Sequence, residues 1–214
     1  MPKRGRPPSF SRDELIAAAR RLGPDNIGLQ AVAEELGVAR TSLYWHVRDQ
    51  AELGELVLAA IVDDASVGDW TPDEGATWQD WLEAFARTLR RTMLAAGSWV
   101  RYGTSRTFYS GHSLRSADRL LGALVDAGFS IEEAGRAFGF LTEIVYANVR
   151  ATSGRPVAPA RNAFLAEMEA IDAEDVPYLI EAVELRQKTT PDMQFEYDLA
   201  CALAGIAART SINR

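Results

Sequence analysis

The densest cluster of groups able to do chemistry lies in Ala39–Gln50, ARTSLYWHVRDQ. Contact with a nucleic-acid duplex is the chemistry it suits. Arg40 can reach the O6 and N7 edge of a guanine with both arms of its guanidinium. Thr41 and Ser42 can bond bases or phosphates, and Trp45 can pack on a sugar or a thymine methyl. Tyr44, His46 and Arg48 suit contacts to the sugar–phosphate backbone, which fix register rather than sequence. At about 100° per residue, Leu43 and Val47 share one face, and Thr41, Ser42, Trp45 and Arg48 point away from it. Tyr44 and His46 fall on the flanks. A soluble chain seldom exposes a Tyr-Trp-His run that has no partner. The spacing alone also fits an ordinary helical hairpin with Tyr44 and Trp45 in its core.

The elements that would position these groups are helices throughout. Ser11 and Glu14 have capping-box spacing, which predicts a first helix to about Leu22, stopped by Gly23-Pro24-Asp25. A second helix is expected over roughly 29–36 and a third over 40–47. Val32, Ala33, Leu36 and Val38 brace the pair, and Gly37 suits the tight turn between them. Asp49 caps a fourth helix to about Ser66, with Leu53, Leu56, Val57, Ala60 and Ile61 on one stripe. Its first turn, near Asp49 and Gln50, offers backbone N–H groups to a phosphate. Together these make a helix-turn-helix head that presents its third helix to a major groove.

Gly68–Gly75, with Pro72, predicts the border between head and body. Further helices are expected over Thr77–Ala96, over Ser113–Ala127 ahead of Gly128, and from a Ser130/Glu133 capping box to about Thr152. Residues 97–111 read as irregular and aromatic, and 154–159 as a loop. Weaker helices over 160–190 break near Pro177, and a last helix runs from Pro191-Asp192 to about Ser211. No segment alternates with period two and no repeat occurs. The expected class is therefore all-α: a flexible basic arm (1–10), a three-helix DNA-binding domain with its connecting helix (11–66), and a larger helical domain (67–214).

The chain has 214 residues and a formal net charge of −7, which by itself argues against nucleic acid. The distribution argues otherwise. Residues 1–50 carry eight Lys and Arg against six Asp and Glu, and the first twelve residues carry Lys3, Arg4, Arg6 and Arg12 with no acid. A basic head on an acidic body turns the molecule toward phosphate. The arm KRGRPP at 3–8 can add non-specific phosphate attraction, and its Arg-Gly-Arg-Pro core also resembles minor-groove peptides.

The single cysteine, Cys201, fits a reducing cytoplasm. No signal peptide and no membrane span are apparent, so a cytoplasmic location is expected. Two histidines and one cysteine argue against a structural zinc site, and no phosphate-binding glycine loop occurs, so neither metal nor cofactor is expected. Gly111-His112-Ser113 resembles the start of a nucleophile elbow, but Arg115 replaces the closing glycine and no strand precedes it.

The last helix lines up Phe195, Leu199, Leu203 and Ile206, with Ala200, Cys201, Ala204 and Gly205 keeping it thin. The 130–152 helix supplies Ala134, Phe138, Leu141 and Val145. Two copies of this helix pair would make a four-helix dimer interface; packing within one chain is the alternative.

LGVARTSLYWHVRDQAELGELV resembles the recognition segment of the tetracycline-repressor family. WQDWL at 78–82, AGFSIEEA at 127–134 and FEYDLACALAGIAAR at 195–209 resemble it too. The resemblance implies DNA contacts from Leu29, Gln30, Arg40, Thr41, Ser42, Tyr44, Trp45 and His46. It places Gln50 where a phosphate-binding lysine is usual and Leu29 where a threonine is usual. It also implies a homodimer on a palindromic operator and a body that binds a small-molecule effector.

Effector-lining residues would come from the aromatic stretches: Trp81, Phe85, Trp99, Tyr102, Phe108 and Tyr109, then Phe138, Leu141 and Tyr146, with Arg101, Thr104, His112, Glu143 and Asn148 as polar points. Arg101, Phe85 and Val67 stand where the tetracycline repressor has polar anchors for drug and magnesium. The resemblance therefore implies an effector other than tetracycline, larger, flatter or more apolar, on which an anionic group could face Arg101. The function expected is a ligand-released repressor. An architectural DNA-binding protein that needs no effector and a helical enzyme are the alternatives.

Overall fold

The structure, a computed structural model, describes residues 10–65, 72–103, 111–152, 166–168 and 170–209, without the side chains of Ala65, Gly111 and His112. Lys3, Arg4 and Arg6 of the arm, together with Val67, Thr104, Phe108, Tyr109 and the side chain of His112, lie outside that description. The architecture is all-α: an N-terminal helix-turn-helix bundle and a larger C-terminal helical domain.

Helix α1 spans Arg12–Leu22. Its start is fixed locally: Glu14 N donates to Ser11 Oγ at 3.2 Å, and Ser11 N donates to the Glu14 carboxylate at 2.7 Å. Helix α2 spans Leu29–Leu36 and ends on Gly37 at φ 66°, a left-handed conformation that a β-carbon would strain. A 3-10 helix, Arg40–Trp45, follows, and then α3, Gln50–Ala65. Asp49 caps α3 by accepting from Glu52 N at 2.8 Å. Leu15, Ile27, Val32, Leu43, Leu53 and Val57 fill the head's core without solvent exposure. Burial of each is worth about 1.5–3 kcal/mol. Arg20–Asp64 (2.8 Å) and Arg21–Glu35 (2.7 Å) tie α1 to α3 and α2 at the surface.

In the body, α4 (Trp78–Ala95) begins on a Thr77/Asp80 capping box. A 3-10 helix, Gly97–Tyr102, occupies the start of the stretch expected to be irregular. Helix α5 is Gly111–Asp126, followed by a turn through Gly128 at φ 100°. Helix α6, Ile131–Thr152, opens on the Ser130/Glu133 box, whose backbone bonds measure 2.9 and 3.2 Å. Residues 166–168 and 170 are helical, the chain turns over 171–176, and helix α7, Pro177–Lys188, follows, so the break expected near Pro177 lies just before it; α8 is Pro191–Arg209. Helices α4, α6 and α8 pack on one another, and α5 lies against α3, α4 and α6. Helix α3 touches α1 in the head and α4, α5 and the 97–102 turn in the body, so it belongs to both.

The body's interior holds one polar knot. Arg90 Nε donates to Asn148 Oδ1 at 2.8 Å, Arg90 Nη2 pairs with Asp192 at 2.6 Å, and Asn148 Nδ2 donates to the Pro191 carbonyl at 3.1 Å. The Arg90 guanidinium also lies 4.7 Å from the centre of the Phe195 ring. These contacts pin the first turn of α8 to α4 and α6. Asn148, expected as a polar point of an effector pocket, is committed to this structural role.

Candidate nucleic-acid interface

The element expected to carry the DNA contacts is a 3-10 helix, not the α-helix expected over 40–47. Its bonds run from Ser42 N to Ala39 O (2.8 Å) and from His46 N to Leu43 O (2.9 Å). Ala39, just before it, supplies no side-chain cap. The tighter winding changes which side chains face where, because residues three apart stack on one another.

Leu43 (0% exposed) and Val47 (2%) point inward, as the spacing predicts. Trp45 is 60% exposed and Tyr44 50%, so the hairpin alternative with both rings in a core is overturned. Thr41 and Arg40 are exposed and Ser42 half-buried. His46, three residues after Leu43, turns inward with it. Its ring centre lies 5.0 Å from that of Phe10, and its Nε2 is enclosed without a hydrogen-bond partner among the described residues. That ring is wedged into the head, not held on the outer flank.

Two neighbours carry internal ties. The exposed Gln30 donates to Glu34 at 2.7 Å. Arg48 donates to Glu52 from its backbone N–H at 2.6 Å and from Nε at 3.0 Å. Those bonds hold the Glu52 carboxyl below its ordinary value, the backbone N–H first, and raise the Arg48 guanidinium further. Arg40, by contrast, makes no ion pair among the described residues. Leu29 is corrected as a contact: its side chain is 7% exposed, packed in the head core, and only its backbone N–H in the first turn of α2 remains to offer.

Gln50, at the first turn of α3, lies with its Nε2 3.4 Å from the hydroxyl of Tyr102. This leads into the body, where the residues expected around an effector divide. Trp99, Leu141 and Tyr146 are buried core. Trp81 and Phe85 are half-buried, and Phe85 meets Phe138 with ring centres 5.0 Å apart. Arg101 and Tyr102 face the head instead. Arg101 pairs with Asp25 and donates to Ser98 O at 3.0 Å, and the Tyr102 hydroxyl donates to the Pro24 carbonyl at 2.9 Å. Arg101 therefore does not stand ready for an anionic effector group, because the Asp25 carboxylate of the head already takes that place. Gly54, inside α3, is a further residue of this border between head and body: a glycine inside a helix, costing about 1 kcal/mol against alanine, signals a packing reason, and the Tyr102 ring lies against it.

The stripe expected at a dimer interface is also corrected. Ala134, Leu141, Val145, Phe195 and Leu199 are at most 2% exposed within a single chain. They join α6 to α8, and Phe138 and Leu203 lie half-buried beside them. The open surface is the opposite one: a groove of about 810 Å³ lined by Arg136, Phe140, Ile144, Cys201, Gly205 and Ile206, among others. Of the expected apolar stripe only Ile206 lines it, while Cys201 and Gly205, expected to keep the helix thin for a second helix, line it too. Met193 (58%) and Tyr197 (67%) extend the exposed apolar face along α8. Among the described residues no group of three or more His, Cys, Asp or Glu could hold a metal ion, and no helix is long and apolar enough to cross a membrane.

Residues 71–210 match the family described as "Tetracyclin repressor-like, C-terminal domain". The chain is similar to the class E tetracycline repressor protein of Escherichia coli, 27% identical over 206 residues that cover 94% of this chain and 92% of that one. The class A protein from transposon 1721 of Escherichia coli is 29% identical over 199 residues, covering 90% and 87%. The fold is similar to that of ActR from Streptomyces coelicolor solved in complex with (S)-DNPA, with a TM-score of 0.73, 24% identity, and 95% and 99% of the two chains covered. ActR has also been solved in complex with actinorhodin, at 23% identity.

Proposed function

The chain belongs to the tetracycline-repressor family, and on that footing we propose that it is a homodimeric repressor, fastened to a palindromic operator by two Arg40–Trp45 elements until an organic effector enters the body. Membership makes it a ligand-responsive, DNA-binding transcriptional regulator rather than an enzyme. The finer reading is carried by one observation: Tyr44 and Trp45 stand exposed on a turn whose Leu43 and Val47 are sealed in the core. Folding anchors that turn through Leu43 and Val47 while leaving its aromatic side exposed.

In this reading Arg40, Thr41 and Ser42 meet base edges in the major groove, and Trp45 packs on a sugar or a thymine methyl. Tyr44, Gln50 and the backbone of the first turn of α3 take phosphates, with Arg48 beside them. Residues 11–66 act as the reading unit, and residues 67–214 pair and sense. The basic arm adds phosphate attraction through Lys3, Arg4 and Arg6.

Two observations support pairing. Helix α8 leaves Met193, Tyr197, Cys201 and Gly205 uncovered, a thin apolar face that a second helix can approach closely. Helix α7 has no buried residue at all, with Tyr178 86% exposed and Leu185 55%. A second copy that covers these faces gives a two-fold dimer with half-sites about one helical turn apart.

The effector reading rests on the solved relative that holds actinorhodin and on the half-buried Trp81, Phe85 and Phe138, which offer aromatic surface between α4 and α6. An effector there acts only if it prefers one head spacing, and such coupling is typically about 1–3 kcal/mol. The test is selection of duplexes from a random pool by the purified protein. A two-fold symmetric sequence should emerge, and failure to enrich any sequence refutes the proposal.

A further inference from the structure

Tyr102 sits where the body meets the head. The Tyr102 ring lies so close to α3 that a β-carbon on Gly54 would sit 2.2 Å from Tyr102 Cγ and 2.3 Å from Cδ1. Its hydroxyl donates to Pro24 O at 2.9 Å in the link between α1 and α2, and lies 3.4 Å from Gln50 Nε2 at the start of α3. The preceding residue, Arg101, pairs with Asp25 in the same link. The following residue, Gly103, is pressed against the body: a β-carbon there would come 2.9 Å from Tyr146 Cε1 of α6.

We infer that Tyr102 is the positioning residue that sets the angle of the DNA-binding head on the body, acting on the α1–α2 link directly as well as through α3. The inference rests on the proposal that the head reads DNA, but its geometry does not. A phenylalanine would fill the space against Gly54 equally well. The hydroxyl adds direction, because it grips the carbonyl of Pro24 and the amide of Gln50 from a single atom. Any rotation of Gly97–Tyr102 is therefore passed to two points of the head at once. Tyr146, touching Gly103, gives α6 a lever on that turn.

Distances between spin labels test this without any ligand. With Cys201→Ser as background, Asp13→Cys on α1 and Arg91→Cys on α4 carry the labels, and labelled chains are diluted with unlabelled ones. The parent should give one narrow head-to-body distribution. Tyr102→Phe should broaden it or add a second population, with helix content and thermal midpoint nearly unchanged. A merely space-filling tyrosine would not do so. Gly54→Ala, which must displace the ring, should give the same change. If that variant does not fold, Tyr102→Phe decides alone. A Tyr102→Phe distribution that superimposes on the parent's overturns the inference.

On a duplex selected by the parent protein, Tyr102→Phe should bind about two- to tenfold more weakly, the scale of one lost hydrogen bond. An affinity equal to the parent's counts against the inference. If the parent selects no duplex, the DNA-binding proposal fails and the distance measurement alone judges Tyr102.

Discussion

Arg90 on α4 and Asn148 on α6 meet through a 2.8 Å hydrogen bond from guanidinium Nε to amide Oδ1, and the pair holds the first turn of α8 in place. Asn148 is 7% exposed and the Arg90 side chain 13%, so neither can turn to water for a replacement partner. Asn148→Ala should cost about 1–3 kcal/mol by leaving a buried guanidinium N–H and the Pro191 carbonyl short of a partner. Thermal unfolding measures it, with a fall of about 2–4 °C per kcal/mol in a chain of this size. Binding to a selected duplex at low temperature should stay close to the parent's.

Substitutions in the recognition turn should separate contact from support. Arg40→Ala should weaken binding to a selected duplex by about 1–3 kcal/mol and relax the preference at one base position. Its thermal midpoint should not change, because Arg40 is exposed. Leu43→Ala should instead cost about 2–5 kcal/mol of stability, since Leu43 is fully buried. Paired anisotropy and melting curves check both.

Acid should erode the fold through its helix starts. Hydrogen bonds from Ser11 and Thr77 hold the carboxyls of Glu14 and Asp80 below their ordinary values of 4.5 and 3.8, and Arg48 does the same to Glu52. Carboxyls depressed on folding contribute stability that is fully present above their unfolded values. It is lost as pH falls through the folded ones. Stability from these groups should thus stay level from neutrality down to about pH 5 and fall below about pH 4.5. Ser11→Ala should lower the plateau by about 1 kcal/mol and make the acid limb shallower, as read by denaturant titrations at stepped pH.

The pairing surface is testable at Phe140, which lines the groove and is 51% exposed in the single chain. Phe140→Glu should leave helix content unchanged and halve the molar mass measured by sedimentation. A parent already monomeric at micromolar concentration would remove the dimer from the proposal.

Local signals in the sequence were sufficient for much of the fold. The Ser11-to-Glu14 and Ser130-to-Glu133 spacings mark helix starts because both partners of each box lie within one turn. Gly37 and Gly128 mark turns because their backbones need positive φ. Three kinds of feature were not legible. Arg40–Trp45 is too short for a period of 3.0 to be told from 3.6, so the inward turn of His46 onto Phe10 went unseen. Helix α8 carries apolar residues on both faces, and the pattern cannot say that Phe195 and Leu199 are needed inside the chain while Tyr197 and Cys201 stay outside. Nor can spacing reveal pairs distant in sequence, such as Asp25–Arg101 or Pro24–Tyr102, which moved two residues from an expected pocket to the border of the head.

The proposed regulator reads DNA with the aromatic side of its Arg40–Trp45 turn. Titrating the parent and Trp45→Ala against a duplex selected from a random pool, with random duplex as competitor, tests this most directly. A two-fold symmetric sequence should be bound by the parent in preference to competitor, with a loss of about 1–3 kcal/mol in Trp45→Ala at unchanged thermal stability. A Trp45→Ala protein that binds the same duplex as tightly as the parent, or a parent that prefers no sequence, would contradict that role.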